Sequence, residues 1–288
     1  MPDQGPSWDV VADVQLLLQF HFMQNALLAG TLVALLAGVA GYFVVLRGQS
    51  FAAHMLSQVG FPGAAAGVLI HASPVLGLIV FCAGAALGIG ALGREVDAGH
   101  RRESAAIGSI LAFSLGLGFL FVRLYGGSAQ GIYAFLFGSI LGITDSDVEL
   151  TLAVALTTMA SLAAVGRPLV FASVDPDVAQ ARGVPVRLLS LAFLLVLALS
   201  VAITVQIVGT LLIFALLVAP AASALQLTAR VGRGIALSVA LALAFTWLGL
   251  SLAYFTNLPV GFLITSLAFA FYVAVRIVKA RSAMVAWS

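Results

Sequence analysis

Long apolar runs broken by brief polar punctuation set the pattern of this chain. The runs cover residues 23–46, 51–70, 74–92, 104–122, 148–165, 188–227, 235–255 and 261–275. A helix needs about 20 apolar residues to cross a hydrocarbon core, so each run reads as a membrane-spanning helix. The run 188–227 is long enough for two spans, and a tight turn is expected between Gln206 and Thr210. The piece 131–143 is too short to span and reads as re-entrant or interfacial. The expected fold class is all-α: a polytopic transmembrane helix bundle of eight or nine spans. Residues 1–22 are expected to form an outer N-terminus with an interfacial helix from Asp13, residues 23–280 the transmembrane domain, and 281–288 a cytoplasmic tail. Asp3 and Asp9 stand where a secretory signal would carry bases, so no such signal is expected.

Composition narrows the class. Hydrophobic residues make up 62% of the 288 and charged residues 8%, against roughly a quarter charged in a soluble domain. That excludes a soluble enzyme and a disordered chain. The net charge of +2 is too small to suggest nucleic acid, and the single Cys82 permits no intrachain disulfide. The bases matter for topology. Arg47, then Arg94, Arg101 and Arg102, then Arg167, Arg182 and Arg187, then Arg230 and Arg233, then Arg276, Lys279 and Arg281 all follow odd-numbered spans. Arg123 alone falls on the other side. Basic loops face the cytoplasm, so these ends are assigned inside and the N-terminus outside.

Several functions are disfavoured by what is missing. Lys279 is followed by Ala280, so no phosphate-binding loop ending in Gly-Lys-Ser/Thr exists. If ATP drives this protein, another chain must bind it. The acids lie at the N-terminus or between apolar runs, which counts against a proton- or sodium-coupled secondary transporter. No His-Glu-x-x-His motif marks an intramembrane metalloenzyme. The chain is not expected to be an enzyme.

Polar residues gather in a few places. His54, Ser57 and Gln58 are spaced i, i+3, i+4, which puts them on one helix face ahead of an expected break at Pro62-Gly63. Such a face inside a membrane lines a pathway or makes a helix contact by hydrogen bonds. The segment from Asp175 to Pro185 is the longest hydrophilic excursion on the inner side. Asp175 suits an N-cap, Pro176 the first helical position and Gly183 a stop, which predicts a two-turn helix outside the membrane. It is either an ordinary capped loop or a docking element for a cytoplasmic partner.

Taken in order, these segments resemble the integral membrane permeases of the zinc/manganese ABC importer family. Leu46-Arg47, then Ala53-His54-Met55-Leu56-Ser57-Gln58 and Phe61-Pro62-Gly63, follow its Leu-Arg-Arg, Gly-Asp-Ala-Leu-Ser-His and Leu-Pro-Gly pattern. Leu136-Phe137-Gly138-Ser139-Ile140-Leu141-Gly142 resembles its Leu-Phe-Gly-Asn-Ile-Leu-Gly segment, and Asp175 to Gly183 its Asp-Pro-Glu-Phe-Ala-Arg-Ala-Leu-Gly loop. Val208 to Leu212 and Pro220 to Ala222 complete the set. The resemblance implies a half-transporter: a second permease copy, a cytoplasmic ABC ATPase docked through Asp175, Asp177, Arg182 and Gly183, and an extracellular metal-binding solute-binding protein. It implies no permanently bound cofactor, with Zn or Mn as the transported substrate. One departure stands out. The family's Asp and His, four apart, are here His54 and Gln58. An imidazole suits zinc better than manganese, so zinc is the expected cargo, manganese next, with His54 as ligand and Gln58 and Ser57 beside it. Siderophore or cobalamin import through a similar permease, or a secondary metal transporter, are the alternatives.

Overall fold

The computed structural model describes residues 19–92, 100–126, 138, 142–256 and 258–285. The expected interfacial helix from Asp13 and most of the short piece 131–143 lie outside the described residues. So do residues 286–288 of the tail.

All the secondary structure among the described residues is helical. The helices are α1 (His21–Leu46), α2 (Ser50–Leu69), α3 (Pro74–Leu92), α4 (His100–Tyr125), α5 (Asp145–Val174), α6 (Pro176–Ala181), α7 (Val186–Leu227), α8 (Val231–Thr256) and α9 (Val260–Val285). Among the described residues, seven segments are long and apolar enough to cross a membrane: α1, most of α3, α4 and α9, all of α5 and α8, and Val186–Thr210 of α7. The remaining passes are α2 and the shorter apolar Leu212–Leu227. Together they agree with the eight or nine spans expected.

The long run at α7 does fold back. Gly209 has φ 80 and ψ 161, non-helical values inside an otherwise helical stretch. On one side of it, the Phe193 ring lies 6.3 Å from Phe43 of α1. On the other, a Cβ on Gly41 of α1 would run into the Leu217 backbone carbonyl. A straight helix would hold Phe193 and Leu217 about 36 Å apart. Both instead flank the same end of α1, so the chain reverses at Gly209. The first arm rises from the basic end and the second returns to it.

Packing follows from small residues. Apolar side chains gain nothing by leaving lipid for protein, so contact in a bilayer depends on close approach of backbones. Gly41 against Leu217 is one such approach, and Gly63 of α2 against Gly77 of α3 is another. The antiparallel pairing of α1 with α8 is pinned by Ser238, whose hydroxyl donates to the Gly38 carbonyl at 2.8 Å, and by Trp247, whose indole N–H donates to Thr31 at 3.0 Å.

Two expected boundaries move. Pro62-Gly63 does not break α2: the helix runs through to Leu69 with Pro62 inside it, and both residues are buried. The lost N–H is tolerable because neighbouring helices enclose this turn; Gly118 of α4 fits against the Phe61 ring and Pro62. Nor does α5 end near residue 165. It continues to Val174 and carries Arg167 and Pro168 within it. Its start is fixed by a capping box, in which the Thr144 side chain accepts from the Asp147 N–H and the Asp147 carboxylate accepts from the Thr144 N–H at 3.0 Å.

Candidate functional site

Helix α2 is closely enclosed at its centre. From Phe51 to Ala65 every residue is buried except Phe51, His54 and Gln58. Their spacing, i, i+3, i+7, puts all three on one face, so α2 opens along a single narrow stripe. The His54 ring stands edge-on to Phe214 of the returning α7 arm, with centroids 4.7 Å apart. Its Nδ1 is buried and makes no hydrogen bond among the described groups. The side chain as a whole is half-buried, on the open stripe. The Gly209 reversal brings Phe214 here, and with it the packing that orients the imidazole.

Ser57 does not share that stripe. It is fully buried, and its hydroxyl donates to the His54 backbone carbonyl at 2.7 Å. At about 100° per residue it sits roughly 60° to one side of His54, whereas Gln58 sits about 40° to the other. The i+3 neighbour thus turns into the protein and the i+4 neighbour stays at the opening. Among the described residues no group of three or more His, Cys, Asp or Glu side chains is placed to hold a metal ion. One copy of the stripe offers one imidazole nitrogen and one amide oxygen.

At the basic end of the bundle, Asp175 both ends α5 and caps α6, its carboxylate accepting from the Val178 N–H at 3.0 Å. Pro176 occupies the first turn, and Gly183 closes the segment at φ +83. Ala179 is buried and anchors the short helix, while Asp175, Asp177, Arg182 and Gly183 are all exposed. The sequence did not reveal the apolar rim around them: Val174 is 72% exposed, Val178 44% and Leu188 65%. A capped knob with a mixed charged and apolar face is suited to a protein partner. Nearby, the Arg47 guanidinium donates to Ser173 at 3.2 Å and to Ser190 at 2.5 Å, and lies 5.6 Å from the Phe193 ring centre. It ties the end of α1 to both helices that flank the knob.

The opposite end is held by a polar clasp that sequence reasoning also missed. Buried Asn25 of α1 donates to the Asp145 carboxylate at 2.7 Å and to the Ile143 carbonyl at 3.3 Å. His21 approaches the same carboxylate oxygen at 2.9 Å. Gln206, three residues before the reversal, donates to Asp147 at 2.7 Å. The available signal was two amides in each of two apolar runs, Gln24 and Asn25 in the first and Gln206 and Gln226 in the second. Asn25 and Gln206 find partners across the bundle, so no local pattern announces them.

Comparison with known proteins follows from this geometry. The sequence pattern of the family described as the ABC 3 transport family matches residues 19–279. The manganese transport system membrane protein MntC of Listeria innocua is 31% identical over 245 residues, covering 85% of this chain and 86% of that protein. The manganese import system permease protein ScaB of Streptococcus parasanguinis is 32% identical over 245 residues, with the same coverage of 85% and 86%. Among solved structures, PsaBC from Streptococcus pneumoniae in complex with Fab superposes with a TM-score of 0.82 at 28% identity, covering 92% of this chain and 95% of that one. A metal-chelate type ABC transporter in an inward-facing conformation shares the fold, with a TM-score of 0.75 at 17% identity.

Proposed function

The chain belongs to the ABC 3 transport family, and on that premise we propose that it is the membrane-spanning permease of an ATP-driven importer of divalent transition-metal ions, working as a multi-pass plasma-membrane subunit. The chain has no nucleotide-binding loop, so hydrolysis falls to a separate cytoplasmic ATPase. The capped knob around α6 is its docking point: exposed Asp177 and Arg182 offer charge, and Val178 offers apolar area. An extracellular solute-binding protein delivers the metal at the opposite end. The open stripe on α2 supports a second permease copy. A single polar face is half of a pathway, and a two-fold axis supplies the facing half from the same surface.

The observation that carries the cargo reading is His54 itself. Its Nδ1 is enclosed and unbonded among the described residues, its ring stands against Phe214, and its half-buried side chain shares the open helix face with Gln58. Two copies present two neutral imidazoles and two amides, where the family pattern would place two carboxylates and two imidazoles. Imidazole suits zinc, while manganese favours carboxylate oxygens. The relatives compared above are named for manganese; the preference for zinc rests on this chain's own side chains. A metal-binding His normally donates its second N–H to an acceptor that stiffens it. Among the described residues His54 has none at Nδ1, which favours brief contact and release over storage.

The test is uptake of zinc and of manganese into proteoliposomes holding the permease with its ATPase and binding protein, for wild type and His54→Ala. Zinc uptake should exceed manganese, and the variant should lose most of it. Preferred manganese uptake, or full zinc uptake by the variant, refutes the cargo assignment. Uptake of neither metal by the assembled wild type refutes the importer reading.

A further inference from the structure

An apolar groove of about 690 Å³ opens between α1, α5 and α8. Phe43, Met159, Leu162, Val170 and Ile235 line it, and Arg167 stands in its wall. From Met159 to Val170 the helix rises about 16 Å, close to half of a hydrocarbon core about 30 Å thick. The groove is therefore one leaflet deep. Its position fixes which leaflet: Phe43 lies in the last turn of α1, and Val231, another lining residue, begins α8. Both are at the basic, cytoplasmic end.

Arg167 is exposed, and no carboxylate pairs with it among the described residues. Exposed Arg233 follows Val231 by two residues, and Arg230 precedes it. Beyond Asp177 the sequence carries no acid at all, and its bases there are Arg182, Arg187, Arg230, Arg233, Arg276, Lys279 and Arg281. An apolar slot of one-leaflet depth, with an unanswered guanidinium in its wall and more arginines at its inner end, matches one molecular class. We propose that the groove holds an acyl chain of an anionic phospholipid of the inner leaflet, with the lipid phosphate on Arg167 and the headgroup near Arg230 and Arg233. Arg167 reaches the headgroup level by extending its stem along the apolar wall. Basic pockets between spans on the cytoplasmic side recognise such headgroups. The bound chain fills the wedge beside the lower half of α5, the helix that leads directly into the α6 knob. The proposal stands independently of the cargo and of the transport cycle.

The experiment uses the purified full-length permease, delipidated in detergent, then offered phosphatidylglycerol, phosphatidylcholine or inorganic phosphate. Native mass spectrometry counts retained lipid, and thermal unfolding reads stabilisation. Wild type should retain one phosphatidylglycerol per chain and unfold at higher temperature with it, while phosphatidylcholine and phosphate have little effect. Arg167→Gln should bind phosphatidylglycerol about fivefold more weakly, the loss of about one kcal/mol for one base at the membrane surface. Leu162→Trp, which fills the slot, should exclude the lipid while leaving Arg167 in place. Equal retention of phosphatidylglycerol by Arg167→Gln, or equal stabilisation by phosphatidylcholine, overturns the proposal. Cross-linking of Cys residues introduced at Val39 and Val170 between two copies overturns it too, since the groove would then be a protein interface.

Discussion

Replacing Gly209 by Ala tests the feature on which the site depends. At φ 80 and ψ 161, Gly209 occupies backbone space that an L side chain essentially never enters. Holding Ala there costs about 1–3 kcal/mol. The alternative is relaxation, and its effects grow along the returning arm. A swing of about 10° at the reversal would move Phe214 by about 1 Å and the end of the arm at Leu227 by about 5 Å, at 1.5 Å rise per residue. The first displacement loosens the 4.7 Å contact with His54. At Leu217, between them, the same swing gives about 2 Å and pulls it from its close fit against Gly41. Gly126 is the control. It also has positive φ, +66, but the nearest atom to a Cβ there is the Leu124 carbonyl oxygen at 4.0 Å, and it follows the end of α4, apart from the α6 knob. Thermal unfolding in detergent and zinc uptake in proteoliposomes read the two consequences. Gly209→Ala should lower the unfolding midpoint by about 5 °C, at roughly 2–4 °C per kcal/mol for a chain of this size, and should depress uptake well below that of Gly126→Ala. An unfolding midpoint and uptake both equal to wild type would refute the reversal as a structural requirement.

Three further outcomes follow from the polar contacts. Asn25→Leu removes a buried amide that serves both Asp145 and the Ile143 carbonyl; it should cost about 1–3 kcal/mol, measured as a lower unfolding midpoint. Asp177→Ala combined with Arg182→Ala alters only exposed side chains, so folding should be unchanged while ATP hydrolysis by the assembled transporter no longer drives uptake; normal uptake would remove α6 from the coupling role. Ser57→Ala should transport within about twofold of wild type, because its hydroxyl serves the helix backbone and not the stripe; a loss as large as that of His54→Ala would put Ser57 back in the pathway.

Much of the architecture was legible in the residues because its causes are local. A run of apolar residues long enough to cross a bilayer has few alternatives to a helix, so the passes could be counted. The turn within residues 188–227 was readable because a run of that length cannot be one ordinary span, and Gly209 sits in the gap expected. The α6 knob was readable for the same reason: Asp175 caps, Pro176 starts and Gly183 stops within a few residues of one another. The i, i+4 pairing of His54 with Gln58 likewise needed only helical periodicity. Tertiary structure decided what depends on neighbours distant in sequence. Pro62 reads as a break but lies inside α2, because α3 and α4 close around it through Gly77 and Gly118. Ser57 faces inward because the open stripe is defined by where those neighbours leave a gap. Asn25 and Asp145 stand 120 residues apart, and no pattern in either segment anticipates the other. Helical periodicity states which residues share a face; only the packed bundle states whether that face meets protein, lipid or a path for an ion.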